Sequence, residues 1–212
     1  GKAMHKSLGN AVSPDEVIKE YGADMLRLWV ASADYTQDMR ISKEIMKQLS
    51  QAYLKIRNTA RYMLGNLAGF DPDADRVPLD QMEDLDRYAL SAFNDLVKAV
   101  REAYDRYEFH GVYRAVYNFC VVDLSNFYLD VIKDRLYCEG ARSHLRRSAQ
   151  TALYVILDGM TRLIAPILAF TSDEIWAAMA HDASANGESV LLNDMPAWDS
   201  ALALSEEAHL RW

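Results

Sequence analysis

Cysteine is almost missing from this chain, with 2 in 212 residues. Cys120 and Cys138 cannot build a disulfide framework, and their scarcity points to a reducing compartment, the cytoplasm. Glycine is sparse too, half the residues are hydrophobic and a quarter are charged, so a globular, soluble chain with a real core is expected. No apolar run is long enough for a membrane span, because Asp158 and Arg162 interrupt the longest one. Repeats, low-complexity stretches, a P-loop, a Rossmann glycine fingerprint and a hydrolytic triad are all missing. The chain opens on Gly1, inside a loop, without an initiator methionine or a signal peptide, from which a piece of a longer protein is expected. The net charge of −8 argues against indiscriminate nucleic-acid binding. Any RNA contact must come from local basic patches.

What is present is helical periodicity. Ser13-Pro14-Asp15-Glu16 carries a capping signal, with Ser13 as N-cap and Pro14 at the first helical position. A short helix is predicted to stop at Tyr21-Gly22, and a second to run from Ala23 to Ala33. Four long amphipathic patterns follow, near 43–67, 81–108, 111–137 and 142–164. Pro166 interrupts the fourth, and a short helix is predicted to resume at Ser172 and run to His181. The stretch Ser189-Val190-Leu191-Leu192 could be one brief strand. Long amphipathic helices with short connections predict an all-α fold, an antiparallel bundle of four long helices preceded by short ones. The expected divisions are 1–40 for a loop remnant and connecting helices, 41–182 for the bundle, and 183–212 for a C-terminal extension.

Two basic clusters stand out in this acidic chain. On the 43–67 pattern, Ile45, Leu49, Ala52, Ile56, Met63 and Leu67 gather on the side predicted to face the core. Lys43, Lys47, Arg57 and Arg61 fall within about 80° of one another beside it, and Glu44 is the only acid from 42 to 68. Like charges on one face weaken a helix, so an anionic partner is implied, a mixed solvated face being the alternative. Arg142, Arg146 and Arg147 form the second cluster, near a helix start where positive charge opposes the macrodipole. They either bind phosphate or pair with the acidic stretch Asp71 to Asp86. His110, Cys120, Cys138 and His144 lack paired metal-ligand spacing, so no metal site is expected. The aromatics from Tyr104 to Tyr128 read as bundle core, with one exposed member free to stack on a base.

The chain also resembles a known family. Ala3-Met4-His5-Lys6-Ser7 is similar to the Lys-Met-Ser-Lys-Ser signature loop of class I aminoacyl-tRNA synthetases, with Ala3 and His5 departing from it. Five blocks resemble isoleucyl-tRNA synthetases in their order: SPDEVIKEYGADMLRLWVASADY, KIRNTARYMLGNLAGFDP, YEFHGVYRAVYNFCVVDLSNFYLDVIKDRLY, RRSAQTALYVILDGMTRLIAPILAFTSDEIW and ESVLLNDMPAW.

The resemblance implies the helical anticodon-binding domain of a class Ia enzyme that ligates isoleucine to its tRNA using ATP with magnesium. It makes Lys6 the catalytic signature-loop lysine and Lys6 and Ser7 the ATP-binding pair, with Lys43, Lys47, Arg57, Arg61, Arg142, Arg146 and Arg147 facing tRNA. A monomer is expected, and this piece alone should be inactive and hold no cofactor. A zinc-carrying module, where the family has one, would lie beyond Trp212. The alternatives are the same domain of a valyl or leucyl enzyme, or a helical protein-interaction module with no RNA role.

Overall fold

Serine side chains cap the starts of three of the helices. The computed structural model describes residues 3–8 and 10–205, Lys6 by its backbone alone. Helix α1 (Pro14–Tyr21) starts where Ser13 Oγ accepts from the Asp15 N–H at 3.3 Å. It ends at Gly22, whose φ of 90° lets the chain turn straight into α2 (Ala23–Ser32). Ser42 Oγ accepts from the Ile45 N–H at 3.2 Å and opens α3 (Lys43–Asn66). Helix α4 (Asp84–Asp105) follows a 3₁₀ turn at Leu79–Gln81, and α5 (Phe109–Asn118) follows α4 through a tight turn. Ser143 caps α8 (His144–Ile164).

The 111–137 pattern is not one α-helix. After α5 the chain runs as a π-helix over Phe119–Tyr128, then as the short helices α6 (Leu129–Val131) and α7 (Lys133–Cys138). The buried residues explain it. Val112, Val116, Cys120, Leu124, Tyr128, Ile132 and Leu136 are all buried and spaced by four. In an α-helix each step of four drifts by about 40°, so such a stripe would rotate out of the core. A wider i→i+5 ladder turns less per residue and holds it inside.

Helices α3, α4, the α5–α7 rod and α8 alternate in direction, and α9 (Ala169–Ala178) turns back along α3 and α8. The all-α bundle is therefore as expected. Residues 190–192 form a 3₁₀ turn rather than a strand, with Ser189 Oγ accepting from the Leu191 N–H. Among the described residues there is no partner strand for it. On α3 the buried face is Met46, Leu49, Ala52, Ile56, Thr59, Ala60 and Met63. Ile45 and Leu67, expected on the core side, are only half-buried, Ile45 in the first turn of α3 and Leu67 at its C-cap. Gly159 lets the Phe93 ring of α4 pack directly on α8: a Cβ there would lie 2.5 Å from that ring. The C-terminal extension is laced onto α4 and α8. The Asn94 amide exchanges two 2.8 Å hydrogen bonds with the Asp199 backbone, and Arg162 donates to the Asp194 carbonyl.

One polar cluster sits inside this apolar frame. Asp86 of α4 is fully buried. Its carboxylate accepts two bonds from Arg135 of α7 (2.9 and 3.0 Å), one from the Tyr128 hydroxyl (2.7 Å) and one from Ser148 of α8 (2.6 Å). All four contacts join elements that are remote in sequence. Removing one member of such a buried pair costs about 3–5 kcal/mol, since its partner stays desolvated.

Phenols packed into the bundle make the fold sensitive to alkali, among them Tyr128, which is buried, and Tyr104, which is partly buried. Burial first, then the charge and hydrogen bond of Asp86, push Tyr128 well above the usual phenol value. Burial alone raises Tyr104, whose hydroxyl donates to the Leu163 carbonyl at 2.9 Å. A raised folded pKa means stability is fully present below the unfolded value of 10.0 and is lost as pH rises through the folded value. Urea unfolding followed from about pH 8 to about pH 11 is expected to show a falling free energy above 10.0. The fall should be smaller in Tyr104→Phe, which removes one of the groups that burial shifts upward.

Candidate nucleic-acid interface

Helix α3 carries the first basic cluster on its outward side. Lys43, Lys47, Arg57 and Arg61 are all exposed. Among the described residues none of the four has an ion-pair or hydrogen-bond partner. The structure thus brings these four together as one free, single-sign stripe about 27 Å long, taking 1.5 Å per residue over the 18 steps from 43 to 61. Lys55 lies about 120° around the helix from Lys43. It turns instead to Tyr117, with Nζ 3.3 Å from the hydroxyl and 5.6 Å from the ring centre.

The near end of the stripe adjoins the segment that leads back to Lys6. Two side chains of α2 fasten that segment to the bundle. Asp24 accepts from the Thr171 N–H (2.7 Å), the Thr171 hydroxyl (2.6 Å) and the Phe170 N–H (3.3 Å). It therefore caps α9 from another helix, which is why α9 begins at Ala169 and not at Ser172. Arg27 donates to the Ile167 carbonyl at 2.9 Å and the Pro166 carbonyl at 2.6 Å. Charged groups at helix ends satisfy the orphan N–H and C=O groups there. Neither residue was picked out from the sequence, although a carboxylate at the buried position Asp24 interrupts the apolar side of α2.

The loop itself is a 3₁₀ turn at Lys6–Leu8, pinned by Asn10, whose side chain bonds the His5 N–H and the Ala3 carbonyl. Ser7 is exposed. The Lys6 side chain lies outside the described residues.

At the far end the second cluster divides. Arg142 precedes the N-cap Ser143 and is exposed, with no partner among the described residues. Arg146 is half-buried and donates to the Glu139 carbonyl at 3.2 Å. Arg147 is occupied inside the domain. It pairs with Asp75 at 3.1 Å, donates to Gln150 and the Gly69 carbonyl, and lies 5.7 Å over the Phe70 ring. For Arg147, pairing with the acidic stretch is what the structure shows. Its work is to clamp the 67–80 linker onto α8.

The aromatics divide as well. Phe119 and Tyr128 are core. Tyr107 is the exposed member, at a positive φ of 57°, but it closes α4 at the end near α2, away from Arg142. Tyr137 at the far end, outside the expected series, is 62% exposed. Burial pushes the Cys120 thiol up to about 12, so it is no thiolate at neutral pH. The Cys120 thiol faces Met160 Sδ, Cys138 is exposed and His144 rests on the Gln81 carbonyl. These cysteines and histidines are not gathered into a metal site.

Comparison with known proteins fits this arrangement. The family model described as the anticodon-binding domain of tRNA ligase matches residues 86–212. The model for class I tRNA synthetases (I, L, M and V) matches residues 1–42. The chain is 58% identical over 196 residues to an isoleucine--tRNA ligase of Caldanaerobacter subterraneus subsp. tengcongensis, covering 92% of this chain and 21% of that protein. It is 60% identical to one from Syntrophotalea carbinolica (92% and 21%) and 53% identical to one from Desulforudis audaxviator (100% and 23%). It thus spans about a fifth of the length of these relatives. Among solved structures, the fold is shared with the LeuRS-tRNA-LeuAMS ternary complex of Agrobacterium radiobacter K84. The TM-score is 0.67 at 20% identity, covering 97% of this chain and 23% of that one.

The two arginines at the far end should separate in a stability measurement. Arg147→Ala is expected to lower the unfolding free energy by about 2 kcal/mol, by stranding Asp75 and Gln150. Arg142→Ala should stay within about 0.5 kcal/mol of the parent. Equal losses in denaturant melts would contradict the division drawn here.

Proposed function

This chain belongs to the isoleucyl-tRNA synthetase family, as its anticodon-binding domain, and on that premise we propose that it holds isoleucine tRNA along the free face of α3. The observation that carries the reading is the unpaired, one-sign stripe of Lys43, Lys47, Arg57 and Arg61 on a domain whose net charge is −8. An acidic chain repels RNA at long range. Two pairs of free cations, Lys47 and Arg57 being about 15 Å apart along the helix, are then the place where a phosphate backbone can lie. The row starts near the signature loop and ends toward Arg142, so one tRNA arm following it would pass from the catalytic side toward the far end. There Arg142 is free to meet the anticodon loop. Arg146 and Arg147 act on that surface by holding the 138–147 turn and the 67–80 linker in place.

In the whole protein, the reaction is proposed to be ligation of isoleucine to its tRNA at the cost of ATP. An ammonium on a flexible stem suits the shifting charge of ATP phosphates, which is the role proposed for Lys6, with Ser7 beside it. Magnesium would accompany ATP on the catalytic side. A monomer in the cytoplasm is the setting proposed for the parent enzyme. Within this chain, the clamps of Asp24 and Arg27 make α1 and α2 one unit with the bundle. The direction in which the signature loop leaves is thereby set by the same body that carries the stripe.

The test is the salt dependence of tRNA binding. With four phosphates neutralised, log K should fall against log salt with a slope of roughly −3 to −4. Arg57→Ala with Arg61→Ala should weaken all tRNAs alike and flatten that slope by up to about 2. If the double variant binds like the parent at low salt, the stripe is a solvated face. Equal binding of an unrelated acidic protein would favour a protein-interaction module instead.

A further inference from the structure

Asn186-Gly187 is the one Asn-Gly pair in the sequence. It lies in the loop that follows α9, and both residues are exposed. The fold leaves the reacting groups of this pair open. Among the described residues the Gly187 N–H has no hydrogen-bond partner, nor has the Asn186 side-chain NH2. The Asn186 side-chain carbonyl accepts from the Glu188 N–H at 2.9 Å, a donor that polarises its carbon and can hold charge developing on its oxygen. Glycine at 187 puts no side chain in the way of its own nitrogen and leaves the backbone free to turn. Elsewhere Asn58, Asn66, Asn94, Asn118 and Asn126 lie in helices, where backbone nitrogens are held in the helical ladder. Asn10 and Asn193 precede residues with side chains.

The same residue is where the loop is fastened. Asn193 grips Asn186 from both sides: its Oδ1 accepts from the Asn186 N–H at 2.8 Å, and its Nδ2 donates to the Asn186 carbonyl at 3.0 Å. That Nδ2 also donates to the Ser189 carbonyl at 2.9 Å. The Trp176 indole N–H reaches the Asn186 carbonyl at 3.0 Å, from a side chain only 1% exposed. Ser189 Oγ donates to Asp173 at 2.8 Å and ties the loop back to α9. Asn193 therefore spans two carbonyls, Asn186 and Ser189, whose separation is set by the length of main chain between them. A longer main chain at residue 186 breaks that match.

We propose that Asn186-Gly187 is a site of self-modification, at which deamidation to isoaspartate loosens this loop. The Gly187 nitrogen, having lost its proton to hydroxide, attacks Asn186 Cγ and closes a five-membered succinimide. The side-chain nitrogen leaves as ammonia, with a proton returned from water. Water then opens the ring, at Cγ to give aspartate or at the main-chain carbonyl to give isoaspartate. One water is consumed for each ammonia released, and nothing is oxidised or reduced. In isoaspartate the main chain runs through the former side chain, one carbon longer, and the carbonyl gripped by Trp176 and Asn193 becomes a free carboxylate.

The test is peptide mass mapping of the folded 212-residue chain during incubation at mildly alkaline pH. The peptide bearing residue 186 is expected to change first, by the mass difference between water and ammonia, and faster as pH rises. It should then accept methyl groups from S-adenosylmethionine through an isoaspartate methyltransferase. Gly187→Ala is expected to slow the change about tenfold or more, because a Cβ hinders the nitrogen and narrows its conformations. A Cβ there meets only the His181 ring, at an ordinary 3.7 Å, so the variant keeps the fold. The modified parent should melt at a lower temperature than incubated Gly187→Ala, with tryptophan emission shifted to the red as Trp176 meets water. Conversion at Asn186 no faster than at the other asparagines, or much slower in the folded chain than in urea, overturns the site. So does a parent rate in Gly187→Ala. Conversion that leaves both melting and emission unchanged overturns the loosening.

Discussion

The Asp86 carboxylate, buried among α4, α7, α8 and the π-helical stretch, is the contact on which the far end of the bundle depends. A carboxylate without water is costly, and only a complete set of donors offsets that cost. Arg135, Tyr128 and Ser148 supply it. Each donor comes from a different stretch of chain, so the cluster can be satisfied in one arrangement of those helices. The apolar core alone would tolerate small slides of one helix against another. The cluster removes that freedom and sets the turn bearing Arg142 against α4.

The opposite end uses the same physics outside the core. Asp24 supplies the missing acceptors for the start of α9, and Arg27 the missing donors for the carbonyls that follow α8. Between these two fixed ends runs α3, whose inner side is core and whose outer side is bare positive charge. Repulsion along such a stripe weakens an isolated helix. Here burial of Met46, Leu49, Ile56, Ala60 and Met63 more than offsets it. The stripe can stay free of internal acids because the core, and not surface pairing, holds the helix.

Much of this was legible in the sequence. Ser13 and Gly22 placed the first helix, and the 3.6-residue stripe on α3 placed both its core and its basic side. The π-helix was missed, although its signal was present as buried-type residues at a strict spacing of four from Val112 to Leu136. The early start of α9 was not legible, because its cap comes from Asp24, far away in sequence. The same holds for Arg147. Its composition resembled that of Arg142, and only the fold showed that Asp75, Gly69 and Phe70 close around it. Local chemistry reads well from sequence; partners across the bundle do not.

The account turns on which side of the bundle meets tRNA. The most direct measurement is lysine acylation read by mass spectrometry, with and without saturating isoleucine tRNA. Lys43 and Lys47 lie on the free side of α3, and Lys98 is exposed on α4 as the internal reference. The account predicts that tRNA shields Lys43 and Lys47 and leaves Lys98 as reactive as before. Full reactivity of Lys43 and Lys47 under bound tRNA, or shielding of Lys98 in their place, would contradict it.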